Sequence, residues 1–279
     1  MSKKVYELVT QKIVEKLEEG VIPWKMPFKN YRAINWQTQK PYRGINTILL
    51  QPGEYATFSQ IKKYNAKVKK GAKSHLAVFW KWLEVEDKDD DEMIKKVPFL
   101  RYYNVFEINT QVDGLDSKRP TVAYEHDPIE AAEQIVTGYK NPPNITFEPT
   151  GAWYRKSQDR VNVPNKKEFE SIQEYYSTIF HELIHSTGHS NRLSRKGITE
   201  NRFGSEGYSK EELVAEIGAS FLCNIAGIDN ETIDNSTSYI QSWLQALKND
   251  HTMIVYASQQ AQKASDYILG EVNEDKKIA

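Results

Sequence analysis

The amino-acid sequence predicts an α+β fold with two domains, a small mixed N-terminal domain and a helix-rich C-terminal domain. The chain has 279 residues, enough for two ordinary domains, and its 39% hydrophobic residues suit a globular protein with a sizeable core. Aromatic-rich segments typical of strands occupy the first half, whereas apolar residues in the second half recur every three or four positions, as in helices. Periodicity is lost around residues 111–127, so we place the domains at 1–120 and 121–279.

The two parts of the chain carry opposite charge. The whole chain has 37 Lys and Arg against 38 Asp and Glu, a net charge of −1. Residues 1–86 contain 16 basic and 7 acidic residues, so they are near +9, which leaves 21 basic and 31 acidic residues, near −10, in the remainder. Such a separation of charge indicates a separation of functions.

The elements of the first half follow from its local patterns. The N-terminal segment MSKKVYELVTQKIVEKLEEG is predicted to form an amphipathic helix, because Val5, Val9, Ile13 and Leu17 share one helical face. A turn in KPYRGINTILL is expected to lead into a short strand, and TFSQIKKYNAKV is predicted to be a helix. SHLAVFWKWLEV and FLRYYNVFEI are predicted to be the two strands of a hairpin with the acidic segment EDKDDDE at its tip.

The second half is predicted to open with the helix DPIEAAEQIVTGY, followed by short strands around ITFEP, AWYRKS and RVNVP. Next comes a helix that contains the sequence HELIH. After an irregular stretch, SKEELVAEIGASFLCNIAG and TSYIQSWLQALKND are predicted to form further helices.

The HELIH helix has clear start and stop signals. Ser171 with Glu174 three residues later is a capping-box pattern, and Gly188 is a natural C-terminal stop. His181 and His185 therefore lie one turn apart on one face of an ordered helix. Polar groups so close to a buried apolar stripe are costly unless they are hydrogen-bonded or bind a ligand.

HELIH is an HExxH motif, in which two imidazoles four residues apart can bind one zinc ion while the glutamate faces the bound water. His181 and His185 are the predicted ligands, and Glu182 is the predicted general base. A catalytic zinc needs a third protein ligand. In the extended motif HExxHxxGxxH this is another histidine, but Asn191 occupies that position here.

The later helix SKEELVAEIGASFL offers acidic alternatives for the third ligand. Glu212 and Glu216 are four residues apart and share a face, so one is the candidate ligand and the other would orient a ligand histidine. Ser209 and Glu212 also fit a capping box, which is the alternative role for Glu212. Glu211 is expected to be solvated.

These residues carry a family resemblance. HELIHSTGHSNRL followed by YSKEELVAEIGASFL resembles the zincin-type metallopeptidase domain of the ArdC antirestriction family. The ExxAExxA pattern is similar to the third-ligand helix of IrrE-like peptidases, in which the first glutamate binds metal, and this implies Glu212 as the ligand. GVIPWKMPF, KPYRGINTILL, YATFSQIKKY, VKKGAK and VFWKW resemble the ArdC N-terminal domain, a module associated with single-stranded DNA.

The N-terminal segment also favours nucleic-acid binding on its own chemistry. Sequence-tolerant binding of single strands needs a basic groove for phosphates and aromatic faces for bases. Residues 1–86 combine their positive charge with many aromatic residues, although a small domain core could also account for any one of these rings. The candidate nucleic-acid-binding residues are Arg43, Lys69, Lys70, Lys73 and Trp80.

The resemblance implies an antirestriction protein that binds single-stranded DNA, carries a zinc site and protects incoming mobile-element DNA. Manganese or another divalent ion could replace zinc. The alternative is an active zinc endopeptidase that cleaves a host protein, and a weaker one is a DNA-binding module in which the metal only stabilises the fold. In a peptidase, the strand RVNVP would be the sheet edge beside which a peptide lies, and Tyr208 or His189 would either stabilise the oxyanion or be structural.

The sequence gives no sign of membrane insertion or disulfide bonding. MSKKVYELVTQKIVEKLEEG lacks the continuous apolar run of a signal peptide or a membrane span, so no membrane partner is expected. Cys223 is the only cysteine, which excludes an intramolecular disulfide and a cysteine metal cluster. We expect a cytoplasmic location.

Overall fold

The computed structural model describes residues 2–25, 32–86, 94–119, 127–195, 206–230 and 236–271. Contacts within the chain define two compact units, residues 1–13 with 31–121 and residues 14–30 with 122–279. The mixed helix and strand content confirms the predicted α+β class. The chain begins with helix α1, Ser2–Glu18, whose Val5, Val9, Ile13 and Leu17 are buried as their spacing predicts.

The first unit contains a four-stranded sheet and a two-stranded sheet joined by short helices. The larger sheet has the order β1-β2-β5-β4, in which β1 and β2 are parallel and the other neighbours antiparallel. The smaller sheet pairs β3 with β6. In chain order the elements are β1 Ala33–Asn35, α2 Ile45–Leu49, β2 Gly53–Thr57, α3 Phe58–Lys63, β3 Lys67–Val68, β4 His75–Glu86, β5 Ile94–Glu107, α4 Ile108–Gln111 and β6 Val112–Asp113.

The long hairpin is confirmed. Strands β4 and β5 pair continuously from His75 with Val105 to Glu86 with Ile94. The acidic segment predicted for its tip lies within residues 87–93, outside the described part of the chain. Strand β2 pairs with β5 only between Tyr55 and Thr57, so most of the hairpin extends beyond its neighbour in the sheet.

The strand predicted in KPYRGINTILL is wrong, because Ile45–Leu49 forms helix α2. A short apolar run does not distinguish a buried strand from a buried helix. In the structure the helix places the side chain of Asn46 against strand β4, where its amide nitrogen donates to the carbonyl of Val78 at 2.8 Å and its oxygen accepts the Val78 N–H at 2.7 Å. The side-chain amide of Asn46 thus makes the two hydrogen bonds that the backbone of a neighbouring strand would make with Val78.

The second unit is mostly helical. It contains a three-stranded sheet of order β7-β9-β8, in which β9 is parallel to β7 and antiparallel to β8. In chain order the elements are α5 Pro128–Thr137, β7 Asn144–Thr146, β8 Trp153–Arg155, β9 Arg160–Asn162, α6 Ile172–Thr187, α7 Glu206–Ala226, α8 Thr237–Asn249 and α9 Met253–Leu269. Helix α9 was not predicted from the sequence.

Helix α7 is the centre of the second unit and packs against both α6 and α9. Helix α7 contacts α6 closely at Gly218, where an added Cβ would lie 2.7 Å from Cδ1 of the buried Ile184 and 2.9 Å from its Cγ1 and Cγ2. A side chain at this position would fit only if Ile184 moved. Within the described residues, no helix is both long and apolar enough to cross a membrane.

Candidate metal centre

Helix α6 positions the two histidines. Its N-cap is Ser171, whose hydroxyl accepts the Glu174 N–H at 2.9 Å, and its C-cap is Gly188. The carboxylate of Glu174 accepts the N–H of Glu170 at 3.1 Å. With both ends fixed, the imidazoles of His181 and His185 lie on one face with their rings 4.8 Å apart.

Three side chains converge as the ligands of one ion would. The Nε2 atoms of His181 and His185 are 3.1 Å apart, and the carboxylate of Glu212 lies 3.5 Å from the first and 3.4 Å from the second. Four ligands about 2.0–2.1 Å from a tetrahedral zinc are separated by about 3.3–3.4 Å. Among the described residues these three form the group suited to hold a metal ion. A tetrahedral ion with three protein ligands keeps its fourth position for water or substrate.

Glu216 does not join this group. Its Oε2 accepts the indole N–H of Trp24 at 3.0 Å and the hydroxyl of Tyr239. Burial raises the pKa of this carboxyl, and the two donors oppose that shift only in part. The alternative role proposed for Glu212 as part of a capping box is also wrong, because helix α7 begins at Glu206 and Ser209 lies inside it.

The prediction that Glu211 is solvated is wrong. Its side chain is 7% exposed, and its Oε1 lies 3.4 Å from Nδ1 of His185, on the side of the ring opposite the ligand nitrogen. Arg195 donates to both carboxylate oxygens, from Nε at 3.1 Å and from Nη2 at 2.5 Å. The buried guanidinium also donates to Thr187 and to the carbonyl of Ile184, so Arg195 connects α7 to the end of α6.

This surrounding controls the protonation of the histidine. Burial alone would lower the pKa of His185, but hydrogen bonds to Glu211 and Glu212 and the nearby negative charge outweigh it and raise the pKa to about 10. Burial would raise the pKa of Glu212, but its contacts with His181 and His185 lower it well below the usual range. In the absence of an ion, a proton on His185 therefore balances part of the carboxylate charge.

The other residues predicted for catalysis are placed as follows. Glu182 lies between His181 and His185 in the sequence of α6, and its side chain is buried. His189 follows the helix, and its Nδ1 accepts the Asn191 N–H at 3.3 Å. The side chain of Tyr208 lies outside the described part of the structure.

The prediction that RVNVP forms the sheet edge is wrong. Strand β9, Arg160–Asn162, is the central strand, because β7 and β8 precede it in the chain and pair with its two sides. The side chain of buried Asn162 also holds the connection between β7 and β8, through bonds to the backbone of Glu148 and to the carbonyl of Gly151. The edge strands are therefore β7 and β8, and β8 packs on α6.

The candidate nucleic-acid-binding residues lie in the first unit. Lys69, Lys70 and Lys73 share the turn between β3 and β4, with Lys70 and Lys73 exposed and the Lys69 ammonium 3.8 Å from Asp113. Arg43 is partly buried just before α2. Trp80 lies on β4 and is 37% exposed.

Comparisons with known proteins agree with both halves of this picture. Residues 3–106 match the N-terminal domain of the anti-restriction factor ArdC, and residues 130–260 match a zincin-like metallopeptidase domain. The metal-free crystal structure of the antirestriction protein ArdC from plasmid R388 has 32% sequence identity and a TM-score of 0.74, with 95% of this chain and 97% of that one covered. The chain belongs to the ArdC antirestriction family. The Mn(II)-bound structure of the same ArdC protein is 31% identical, also with a TM-score of 0.74, and covers 96% of this chain and 98% of its own.

Other relatives of this ArdC family member extend the comparison. Two Escherichia coli proteins named DNA primase TraC are 33% and 31% identical over 96% of this chain, which spans 20% and 27% of their lengths. An uncharacterized protein of Sinorhizobium fredii, y4eC, is 31% identical, with 95% of this chain and 91% of that protein covered. The zincin-like domain implies a divalent metal ion, which the three converging ligands fit.

Proposed function

We propose that this protein is a cytoplasmic antirestriction protein that binds single-stranded DNA and protects incoming mobile-element DNA. In this proposal residues 1–120 form the DNA-binding domain, and residues 121–279 hold one zinc ion through His181, His185 and Glu212. The observation that carries the metal assignment is the convergence of three side chains from two helices. The two histidine Nε2 atoms are 3.1 Å apart, Glu212 Oε2 lies 3.5 Å from that of His181, and Glu212 Oε1 lies 3.4 Å from that of His185. Manganese could bind the same ligands through the carboxylate oxygen, but the two imidazole nitrogens favour zinc.

A divalent ion bound there would act as a Lewis acid toward a carbonyl group. The remaining chemistry belongs to the protein. Glu182 would accept the proton of the attacking water at its carboxylate, and Glu211 would accept the Nδ1 proton of His185, which fixes the tautomer with Nε2 free for the ion. Arg195 holds Glu211 ionised and in place through two hydrogen bonds.

The DNA-binding part of the proposal rests on charge. Residues 1–86 are near +9 and the remainder is near −10, so phosphates are attracted to the first part and repelled by the second. Binding should weaken as salt rises, because each neutralised phosphate on a single strand contributes about 0.7 to the log–log slope. Duplex DNA should bind less well, since its stacked bases cannot contact aromatic faces.

The second candidate function is an active zinc endopeptidase. The outer edge of β8, which pairs with no strand in the described part of the chain, favours it. The N–H of Val163 donates to Thr146 and the N–H of Asn144 donates to Asp159, so the backbone of Val161 faces β7. The backbone groups of Arg160 and Asn162, on either side of Val161, therefore face β8. Tyr154 is opposite Val161 in the register, so its N–H and carbonyl are directed away from β9. An extended peptide could add there as a further strand.

Full-length Glu182→Gln distinguishes the two functions, with Glu170→Gln, an exposed glutamate before α6, as the matched control. Metal content, peptide hydrolysis, DNA affinity and protection of transferred DNA are measured on each. Retained metal, DNA binding and protection support the first proposal. Loss of protection together with loss of hydrolysis supports the endopeptidase, and a wild-type protein that neither binds single strands nor protects DNA refutes the first proposal.

A further inference from the structure

One face of the β4–β5 hairpin carries rings and cations in alternation. Phe79 is directly opposite Arg101 in the register, and the next pair on the same face is Lys81 opposite Phe99. Toward the base of the hairpin, Tyr103 is the neighbour of Arg101 on that face, and its ring centroid is 5.5 Å from that of Phe79. The guanidinium of Arg101 lies 5.5 Å from the centroid of Phe99. We call these five residues the ribbon face.

The ribbon face is open to solvent although it is rich in aromatic surface. Phe79 is 40% exposed, Lys81 and Arg101 are exposed, and Phe99 and Tyr103 are partly buried. The exposed ring of Phe79 and the partly accessible rings of Phe99 and Tyr103 form one aromatic surface, which a partner could bury favourably. At its base the face joins the core, because Tyr103 packs on the buried cluster that includes Ala77 and Val105.

The charge on the hairpin is one-sided. On the ribbon face between Ala77 and Lys81 and between Phe99 and Val105, the described side chains include two cations and no carboxylate. The opposite face, which contains Trp80, has no charged side chain over the corresponding residues, and there Val78 and Leu100 are buried. A partner that needs both rings and positive charge is therefore directed to the ribbon face.

We propose that the ribbon face is the surface on which bases of single-stranded DNA stack. This inference rests on the single-strand binding proposed above and assigns base stacking to residues other than the five candidates predicted from the sequence. Aromatic faces accept any base, and cations beside them contact the phosphates. Phe99 and Tyr103 are four residue steps apart along β5, roughly 13 Å, and sheet surfaces of this kind stack about two or three bases.

Trp80 is excluded from this stack by its position. Successive residues of a strand point to opposite faces, so its indole lies on the other side of the hairpin from Phe79. The ribbon face and Trp80 therefore make different predictions under mutation. Replacing Trp80 should change the affinity for single strands less than replacing Phe79.

The test uses the full-length protein and a fluorescent 20-nucleotide oligo(dT), with affinities measured by anisotropy. Phe79→Leu removes a ring, and Arg101→Gln removes a charge, while both keep side-chain bulk. Phe58→Leu with Lys63→Gln is the matched control, because both residues are exposed on α3 in the same unit. An abasic strand of equal length separates stacking from phosphate contacts. Light scattering follows the oligomeric state, and circular dichroism verifies the fold.

We expect Phe79→Leu to weaken oligo(dT) binding about fivefold or more and to leave binding of the abasic strand unchanged. Arg101→Gln should weaken both and lower the salt slope by about 0.7. Affinities of both variants equal to wild type would overturn the inference while leaving single-strand binding intact. Unchanged affinities together with weaker self-association than the wild type would overturn it too, and would assign the ribbon face to contact with a second copy of the chain. A wild-type protein that binds no oligo(dT) would instead refute the proposed function itself.

Discussion

Glu211 and Glu212, adjacent on α7, lie against opposite nitrogens of the same imidazole. Glu212 Oε1 is 3.4 Å from Nε2 of His185, and Glu211 Oε1 is 3.4 Å from Nδ1. The first carboxylate is placed to share an ion with the histidine, and the second is placed to orient the ring. Two residues of identical chemistry therefore have separable effects.

Removal of each carboxylate should separate these effects. Glu212→Ala should abolish stoichiometric metal binding, because it removes a ligand, whereas Glu211→Gln should retain the ion with about 10–100-fold lower affinity. Metal analysis and competition with a chelator measure both. The exposed Glu170→Gln is the control and should bind as wild type. Equal metal loss in both glutamate variants would contradict the division of roles.

The histidine ligands allow a simpler version of the same measurement. His181→Ala combined with His185→Ala should remove stoichiometric metal, since Glu212 alone cannot hold the ion. The expected result is a metal-to-protein ratio near zero after dialysis, against a ratio near one for the wild type. An undiminished ratio in the double variant would place the ion elsewhere.

The raised pKa of His185 predicts how the metal-free protein responds to pH. Its folded pKa, about 10, exceeds the ordinary value of 6.5. The proton therefore stabilises the folded state fully below pH 6.5, and this contribution is lost as pH rises toward 10. The Tm of chelator-treated protein should fall over that range.

The metal-loaded protein should not share this loss, because the ion replaces the proton, so the Tm gap between the two forms should widen with pH. Scanning calorimetry of both forms measures it. Metal-free His185→Gln is the control and should lack the decline attributed to this group. A gap that is constant between pH 6.5 and 10 would contradict the coupling of proton and metal.

The close contact at Gly218 predicts an effect on stability. Gly218→Ala would force a methyl group within 3 Å of three carbons of Ile184 and should lower the free energy of unfolding by about 1–3 kcal/mol, less the gain in helix propensity. Ile184→Val removes Cδ1, the atom at the shortest distance. The double variant should therefore lose less than the sum of the two single variants. Denaturant titration measures the three free energies of unfolding. If the loss in the double variant equals the sum of the two single losses, the added methyl group is accommodated without displacing Ile184.

The basic turn before β4 predicts a change in salt dependence. Replacing Lys69, Lys70 and Lys73 with Gln should lower the log–log slope of single-strand binding by about 2, provided each lysine neutralises one phosphate. The comparison variant replaces three exposed lysines of the second unit, Lys140, Lys167 and Lys263. Anisotropy at several salt concentrations measures both slopes. A larger change in the comparison variant would move the DNA-binding surface out of the first unit.

The metal-site helix could be anticipated because its signals are local. Ser171, Gly188 and the apolar spacing between them are properties of adjacent residues, and they define α6 before any tertiary contact is known. The burial of Glu211 against His185, where the sequence predicts a solvated side chain, could not be anticipated in this way. Adjacent helical residues point about 100° apart, and only the packing of α7 on α6 decides which of them faces the ring.

Errors elsewhere have the same origin. The segment Ile45–Leu49 is too short for its apolar run to specify a strand or a helix. The residue that its Asn46 contacts, Val78, is 32 positions later in the chain. The central place of β9 depends on two strands that precede it and pair with its two sides. Arg195 follows α6 in an irregular stretch, where no periodic pattern signals that a charged residue is buried.

The pairing of Arg195 with Glu211 also sets the electroneutrality of the centre. Counted by formal charge, Glu182, Glu211 and Glu212 bring three negative charges and Arg195 offsets one through its ion pair with Glu211, so an ion in the proposed site would meet a surplus of two. A divalent cation neutralises this surplus, whereas a monovalent cation leaves one charge in a poorly solvated space and a trivalent cation adds one. In the proposed site the guanidinium, which contacts none of the three candidate ligands, would thereby favour a divalent ion.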